Sequence, residues 1–307
     1  MRTKKRTGIR LVLATLALLF VATFVVLVAI RLITGKSLGL RSLVNNSWTS
    51  ATSTVNTAWN GRAAAKDSQG KYTNIIFLHH STGNNMILHG KVHDQFRQNG
   101  YIFYDHGFNQ QGLRGPDGHE TGYNYNVPAD NTDPDGLLNI FRQPLLPVPV
   151  NTFSALMQHE VIIVKSCFAP GNNIASDAQL AQYQEWYQEI RGVMQAHPEK
   201  LYIIFTMPPL NPAETNPEEA TRARKFSEWV NSDAFLQGSS NIAVFDFYTL
   251  LAENDPASSD YNMLRADYRE GIDSHPISTA NRAVAPVFVK FVSEKAEQFG
   301  AKIAGAK

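Results

Sequence analysis

Cysteine is all but missing: Cys167 is the single one in 307 residues, so no disulfide can form within the chain. A disulfide-stapled scaffold is excluded, and the fold must be held by burial. Glycine and proline are modest at 20 and 15 residues, which excludes collagen-like and low-complexity classes. Acid is missing from one stretch, since residues 1–36 contain no Asp or Glu but hold Arg2, Lys4, Lys5, Arg6, Arg10, Arg31 and Lys36. The formal net charge of +1 conceals that asymmetry, because the remainder carries 21 bases against 27 acids, a net −6. A body that acidic lacks the basic face on which counterion release depends, so no nucleic-acid partner is expected.

One long apolar run is present. Between Arg10 and Arg31, residues 11–30 have only Thr15 and Thr23 as polar members. Twenty residues at helical rise span about 30 Å of hydrocarbon, which predicts a transmembrane helix over residues 11–33 with the lipid bilayer as its partner. A cleaved signal peptide is the competing reading, but Arg31-Leu32-Ile33 follows the run where a small-residue cleavage site would stand. The basic residues 1–10 then form a cytoplasmic tail by the positive-inside rule, and the rest lies outside the cytoplasm, in a periplasm, lumen or extracellular space. Residues 34–71, rich in Ser, Thr, Asn and Ala, read as a stalk or linker. Within it Val44, Trp48, Ala51, Val55, Ala58 and Trp59 recur at helical spacing, and Asn45-Asn46-Ser47 fits a glycosylation sequon.

From residue 72 onward, short apolar runs of strand length recur at Asn74–His79, Tyr101–Tyr104, Val161–Ser166, Leu201–Thr206 and Ile242–Phe247. Helical patterns separate them at Met86–Gln98, Asp177–Ala196, Pro217–Leu236 and Thr279–Gln298, with Pro286 expected to kink or split the last. Strands alternating with helices predict an α/β domain over residues 72–307, with a mainly parallel five-stranded sheet covered on both faces. Residues 107–160, rich in Gly, Asn, Asp and Pro, read as one long loop insertion able to wall or cover a site.

In such a sheet ligands bind beyond the carboxyl ends of the strands, so chemistry is sought there. After the first strand stands His79-His80-Ser81-Thr82-Gly83. Ser81 is a candidate nucleophile if a base removes its proton; its other reading is a cap or turn residue for the following helix. Asp273-Ser274-His275-Pro276 supplies the base, with His275 able to accept the proton and Asp273 able to hold the imidazole in one tautomer. After the third strand, Gly171-Asn172-Asn173-Ile174 offers amides of the kind an oxyanion hole needs.

These blocks resemble the SGNH hydrolases, the GDSL-type esterases and lipases. That resemblance covers about residues 72–298 and implies a three-layer α/β/α sandwich. It implies Ser81 as nucleophile, His275 and Asp273 as its partners, and an oxyanion hole from the Ser81 amide, Asn173 and a glycine. Gly112 is the candidate glycine, with Gly107 and Gly115 as rivals. His80, His79 and Asn172 would line the pocket. The chain departs from the family in having His79-His80-Ser81 in place of Gly-Asp-Ser, Asp273-x-His275 in place of D-x-x-H, and Ile174 after Asn173. An atypical branch is implied.

No metal or cofactor is expected, since no H-E-x-x-H or comparable spacing is present. The rival metal reading draws on His79 or His80 with Asp105, His106 or His119. Asn131-x-Asp133-x-Asp135-Gly136 resembles the opening of an EF-hand loop, but Arg142 stands where the bidentate Glu belongs. The expectation is a membrane-anchored, extracytoplasmic serine esterase removing acyl groups, acetyl foremost, from a glycan or small ester. An O-acyltransferase of cell-surface glycans and a non-catalytic binding protein are the alternatives.

Overall fold

The computed structural model describes residues 70–109, 111–128, 133–166 and 173–305. Contacts divide the chain into Met1–Ala51 and Thr52–Lys307, and every described residue belongs to the second unit. The expected membrane segment at 11–33, the tail before it and the stalk up to residue 69 lie outside the described residues, as do Cys167 and Asn172. Among the described residues no helix is long and apolar enough to cross a membrane.

All five expected strands form, each within a residue or two of its apolar run: β1 (Asn74–Leu78), β2 (Ile102–His106), β4 (Val161–Val164), β5 (Leu201–Phe205) and β6 (Ile242–Phe245). A sixth corrects the five-stranded expectation. The two-residue β3 (Leu113–Arg114) pairs antiparallel with β2 at the edge, in the order β3-β2-β1-β4-β5-β6, and the other strands are parallel. Two residues carry too little pattern to be read as a strand from sequence.

The connections from β1 and from β4 run to opposite sides of the sheet, so the crevice beyond their ends is a topological switch point. Ser81 follows β1 closely, which brings it to that edge, and Asn173 comes further along the chain after β4.

Helices cover both faces. On one lie α1 (Ser81–Gly90), α2 (Val92–Gln98) and the long α9 (Ser278–Gly305), packed on Ile75, Phe77, Phe103, Ile163 and Phe205. On the other, α3 (Pro134–Phe141), α4 (Thr152–Leu156), α5 (Asp177–Gln195), α6 (Pro217–Val230) and α7 (Asp233–Leu236) pack on Ile76, Leu78, Tyr104, Ile162 and Ile204. The short α8 (Phe247–Leu251) follows β6. Alternate residues of each strand thus enter two separate cores, as the period of two requires.

The first core centres on Phe77, Phe205 and Phe288, whose ring centroids lie 5.2–5.5 Å apart. Each such buried ring contributes about 1.5–3 kcal/mol. α1 crosses α9 closely: a Cβ on Gly90 would sit 2.1 Å from that of Ala285, so no larger residue fits there.

Several helix readings need correction. The expected Met86–Gln98 helix begins five residues earlier, at Ser81, and breaks at Lys91, whose left-handed conformation (φ 51°) ends α1 and opens α2. The Pro217–Leu236 pattern divides at Asn231-Ser232, where Ser232 caps α7. Pro286 does not split α9, because it and Arg282 lie on the exposed face, where the carbonyl that loses its partner remains open to water. The stretch 107–160 is no single loop, since it contains β3, α3 and α4. Asp133 is the N-cap residue of α3 and Asp135 and Gly136 lie within that helix, which replaces the EF-hand reading. Arg142 instead pairs with Glu189 through two 2.7 Å hydrogen bonds.

Candidate active site

Ser81 is the first residue of α1, immediately after β1 and the extended His80. Its hydroxyl does not cap the helix. Ser81 Oγ lies 2.8 Å from His275 Nε2, and His275 Nδ1 lies 2.6 Å from Asp273 Oδ1. A carboxylate only accepts, so Nδ1 carries the proton and Nε2 presents its lone pair to the serine.

The short Asp273-x-His275 spacing works because Asp273 Oδ1 also accepts the His275 backbone N–H at 3.0 Å, folding the loop into a local turn that faces carboxylate and ring together. Burial acts to raise the Asp273 pKa, but the His275 ring and backbone hydrogen bonds outweigh it and hold the carboxyl below the usual carboxylate range. The site is open: the Asp273 side chain is 66% exposed and that of His275 34%.

The loop that carries the pair is pinned by residues that sequence reading missed. Asn211, buried after β5, donates from Nδ2 to the carbonyls of Gly271 and Asp273, both at 3.1 Å, and from its backbone to Ser274 Oγ at 2.9 Å. Ser274 Oγ in turn donates to Glu214. On the helix side, Asn281 Nδ2 donates to the Pro276 carbonyl at 2.8 Å. Asn211 follows Met207-Pro208-Pro209-Leu210 beyond β5, and nothing in residue type alone distinguishes it as a clamp.

Beside Ser81, the buried His80 ring meets Phe108 edge-on at 4.5 Å between centroids. His79, wholly buried, faces Asp105 Oδ2 with Nε2 at 2.7 Å and the His80 carbonyl with Nδ1 at 2.9 Å. Asp105 also accepts from His93 Nε2 at 2.6 Å and Arg114 Nε at 2.8 Å, with a further bond from Arg114 Nη2. Burial raises the pKa of this carboxyl, but the His79 and His93 hydrogen bonds and the nearby cations overcome it, and the group stays far below the ordinary carboxylate range.

On the opposite face, His106 Nδ1 faces the Gly107 carbonyl at 2.9 Å while its Nε2 accepts the Tyr125 backbone N–H at 3.1 Å. His159 Nδ1 faces Asn74 Oδ1 at 2.6 Å and its Nε2 meets the Tyr125 hydroxyl at 2.7 Å. Burial pushes the two histidines down to about 4 and about 3.

His79 and His106 thus have both ring nitrogens engaged. Among the described residues no group of three or more His, Cys, Asp or Glu is arranged to hold a metal ion.

The oxyanion candidates divide. Asn173 has its Oδ1 buried without a partner among the described residues, while the next two carbonyls, of Ile174 and Ala175, are held by Arg222 at 2.5 and 2.9 Å. Gly112 is a correction: its N–H donates to the Phe108 carbonyl at 3.1 Å and is therefore spent. Its glycine is needed for a turn with φ 68°, where a Cβ would lie 2.6 Å from the Tyr123 oxygen. Gly115 likewise donates, to the His119 carbonyl at 2.8 Å.

No family model matches the chain, and no curated protein matches it in sequence. Among solved structures, one from Streptococcus pneumonia described as "a putative platelet activating factor" is similar at 12% identity and a TM-score of 0.43, over 83% of this chain and 100% of that one. A likeness at that level bears on neither activity nor substrate.

Proposed function

We propose that the protein is a serine esterase of the SGNH kind, anchored in a membrane by residues 11–33 and acting outside the cytoplasm on acyl groups, acetyl foremost, carried by a glycan or small ester. The observation that carries this reading is the line of hydrogen bonds from Ser81 through His275 to Asp273, at 2.8 and 2.6 Å.

In the first half-reaction Ser81 Oγ attacks the acyl carbon while its proton passes to His275 Nε2, and Asp273 stabilises the imidazolium. The Ser81 amide, which as the first of a helix has no intrahelical acceptor, and the Asn173 side chain would receive the oxyanion. His275 then protonates the departing alcohol, and water activated by the same ring releases the acid. With Asp273 mostly exposed and the adjacent Ile272 74% exposed, an acyl group presented on a bulky carrier has access.

The test is labelling of the full-length protein in intact cells with a charged, membrane-impermeant fluorophosphonate, followed by peptide mapping. One adduct on Ser81, absent in His275→Ala, is expected, together with a loss of esterase turnover of about 10³-fold or more. Folded protein that takes no adduct even after lysis refutes the esterase, and labelling only after lysis refutes an extracellular placement and leaves an enclosed compartment such as a lumen or periplasm.

A further inference from the structure

We propose that His79 is a positioning residue whose cationic ring, tied to both Asp105 and the His80 carbonyl, polarises the His80–Ser81 peptide and strengthens the Ser81 N–H as an oxyanion donor. This rests on the esterase reading and adds to it a residue that acts through the backbone rather than on substrate.

The charge follows from the hydrogen bonds. His79 Nδ1 faces a carbonyl at 2.9 Å and Nε2 faces a carboxylate at 2.7 Å. Both oxygens only accept, so both nitrogens must donate, and a ring that donates twice is an imidazolium. A neutral ring would aim a lone pair at one of these oxygens inside a dry core, setting two acceptors face to face with no proton between them. Asp105 cannot supply the missing proton, because its two oxygens already take donors from His93 and Arg114 besides His79. His106 and His159 show the contrasting pattern, each with an acceptor on one nitrogen and a donor on the other, and each satisfied as a neutral ring.

The charge is delivered to one peptide. The His80 carbonyl receives the Asn84 N–H at 2.8 Å as well as His79 Nδ1. Two donors on a carbonyl oxygen, one of them cationic, draw electron density through the peptide resonance from its nitrogen. The nitrogen of that peptide is Ser81 N. Its N–H becomes the stronger donor where negative charge develops, in an environment that magnifies the effect.

The ring has no freedom to turn away. A Cβ on Gly83 would approach His79 Cβ to 2.6 Å, one on Gly107 would approach its Cε1 to 3.3 Å, and the Phe77 ring stands 5.1 Å off. The ionisable groups around it are Asp105 and the neutral His106 from β2, Arg114 from β3 and His93 from α2. Against the one negative charge of Asp105 stand Arg114 and His79, which leaves positive charge at the base of α1, where the helix dipole has the same sign.

Two measurements on the full-length protein decide the matter. In protein labelled with ¹⁵N-histidine, the ring nitrogens of His79, assigned through its own backbone amide, should both read as protonated under the conditions of the activity assay; one protonated nitrogen overturns the inference. In His79→Gln, kcat on p-nitrophenyl acetate should fall about 10- to 100-fold with KM within about twofold, since the weakened donor acts only in the transition state. Fluorophosphonate should still reach Ser81 in that variant, but more slowly. An unchanged kcat overturns the inference while leaving the esterase in place. If Ser81 in the unaltered protein takes no adduct, the esterase falls and this inference with it.

Discussion

On one face of β1 and β2, Asp105 gathers hydrogen bonds from His79, His93 and Arg114; on the other, Asn74, His159 and Tyr125 form a chain without a charged member, and His106 binds the Tyr125 backbone. Both networks are buried, and both exist because polar side chains at strand ends must find partners once water is excluded. They differ in what they hand on. The neutral chain links Asn74, His159 and Tyr125 beneath the sheet on the side of the second core. The charged one ends on the His80 carbonyl, in the peptide that leads into Ser81. A charge buried at this depth is costly unless paired, so a fold that keeps one beside its candidate nucleophile points to a role beyond packing.

Acid should separate the two networks, and this is the largest effect expected. In the unfolded chain His106 and His159 take up protons below about pH 6.5, whereas folded they resist down to about 4 and about 3. The unfolded state therefore binds more protons across that window, and stability, complete above pH 6.5, declines as pH falls through it. The loss approaches about 3–5 kcal/mol per histidine once the lower limits are passed. Asp105 has the same sign but a lower window: its depressed pKa contributes stability above about pH 4 that drains only below it. Urea unfolding at pH 7.5, 6, 5 and 4 should show the decline beginning near 6.5. A curve flat down to pH 4.5 would contradict the neutral burial of the two rings.

Asp105→Asn should come next, at about 3–5 kcal/mol, because it removes the one negative charge and leaves the His79, His93 and Arg114 donors facing an amide. Denaturant unfolding at pH 7.5 measures it. A loss under 1 kcal/mol would mean that the carboxylate is not the anchor of its network.

The difference between what could and could not be read from the sequence follows the same division. The juxtaposition of Ser81, His275 and Asp273 was legible because strand ends in a parallel sheet converge, and a hydroxyl, an imidazole and a carboxylate can each be sought there by residue type. Asn211 and Asn281 were not, since they act on the carbonyls of Gly271, Asp273 and Pro276, and any polar residue near a loop could have done so. Gly112 misled for the same reason: a loop glycine is equally a free amide or a positive-φ turn, and here its N–H is taken. His79 was read as a pocket residue because the alternation of a strand tells which way a side chain points but not what crosses the sheet to meet it. The strands carried five runs of strong pattern, whereas β3 and the break at Lys91 depend on tertiary pairing and on a left-handed lysine, neither of which leaves a periodic trace.

The sharpest test of the contrast is also the gentlest. Tyr125→Phe deletes the hydroxyl that donates to His159 Nε2 and changes nothing else in shape. His159 still donates to Asn74, so the ring keeps its tautomer and is left with one buried lone pair unpaired, a cost of about 1–3 kcal/mol. The bonds described for that network join Asn74, His159 and Tyr125 rather than the His80–Ser81 peptide, so the rate of fluorophosphonate labelling should stay within about twofold of the unaltered protein while the unfolding midpoint drops. A Tyr125→Phe protein that folded normally but lost its labelling rate would show the two faces of the sheet to be coupled, and His79 would no longer stand apart from the other buried histidines.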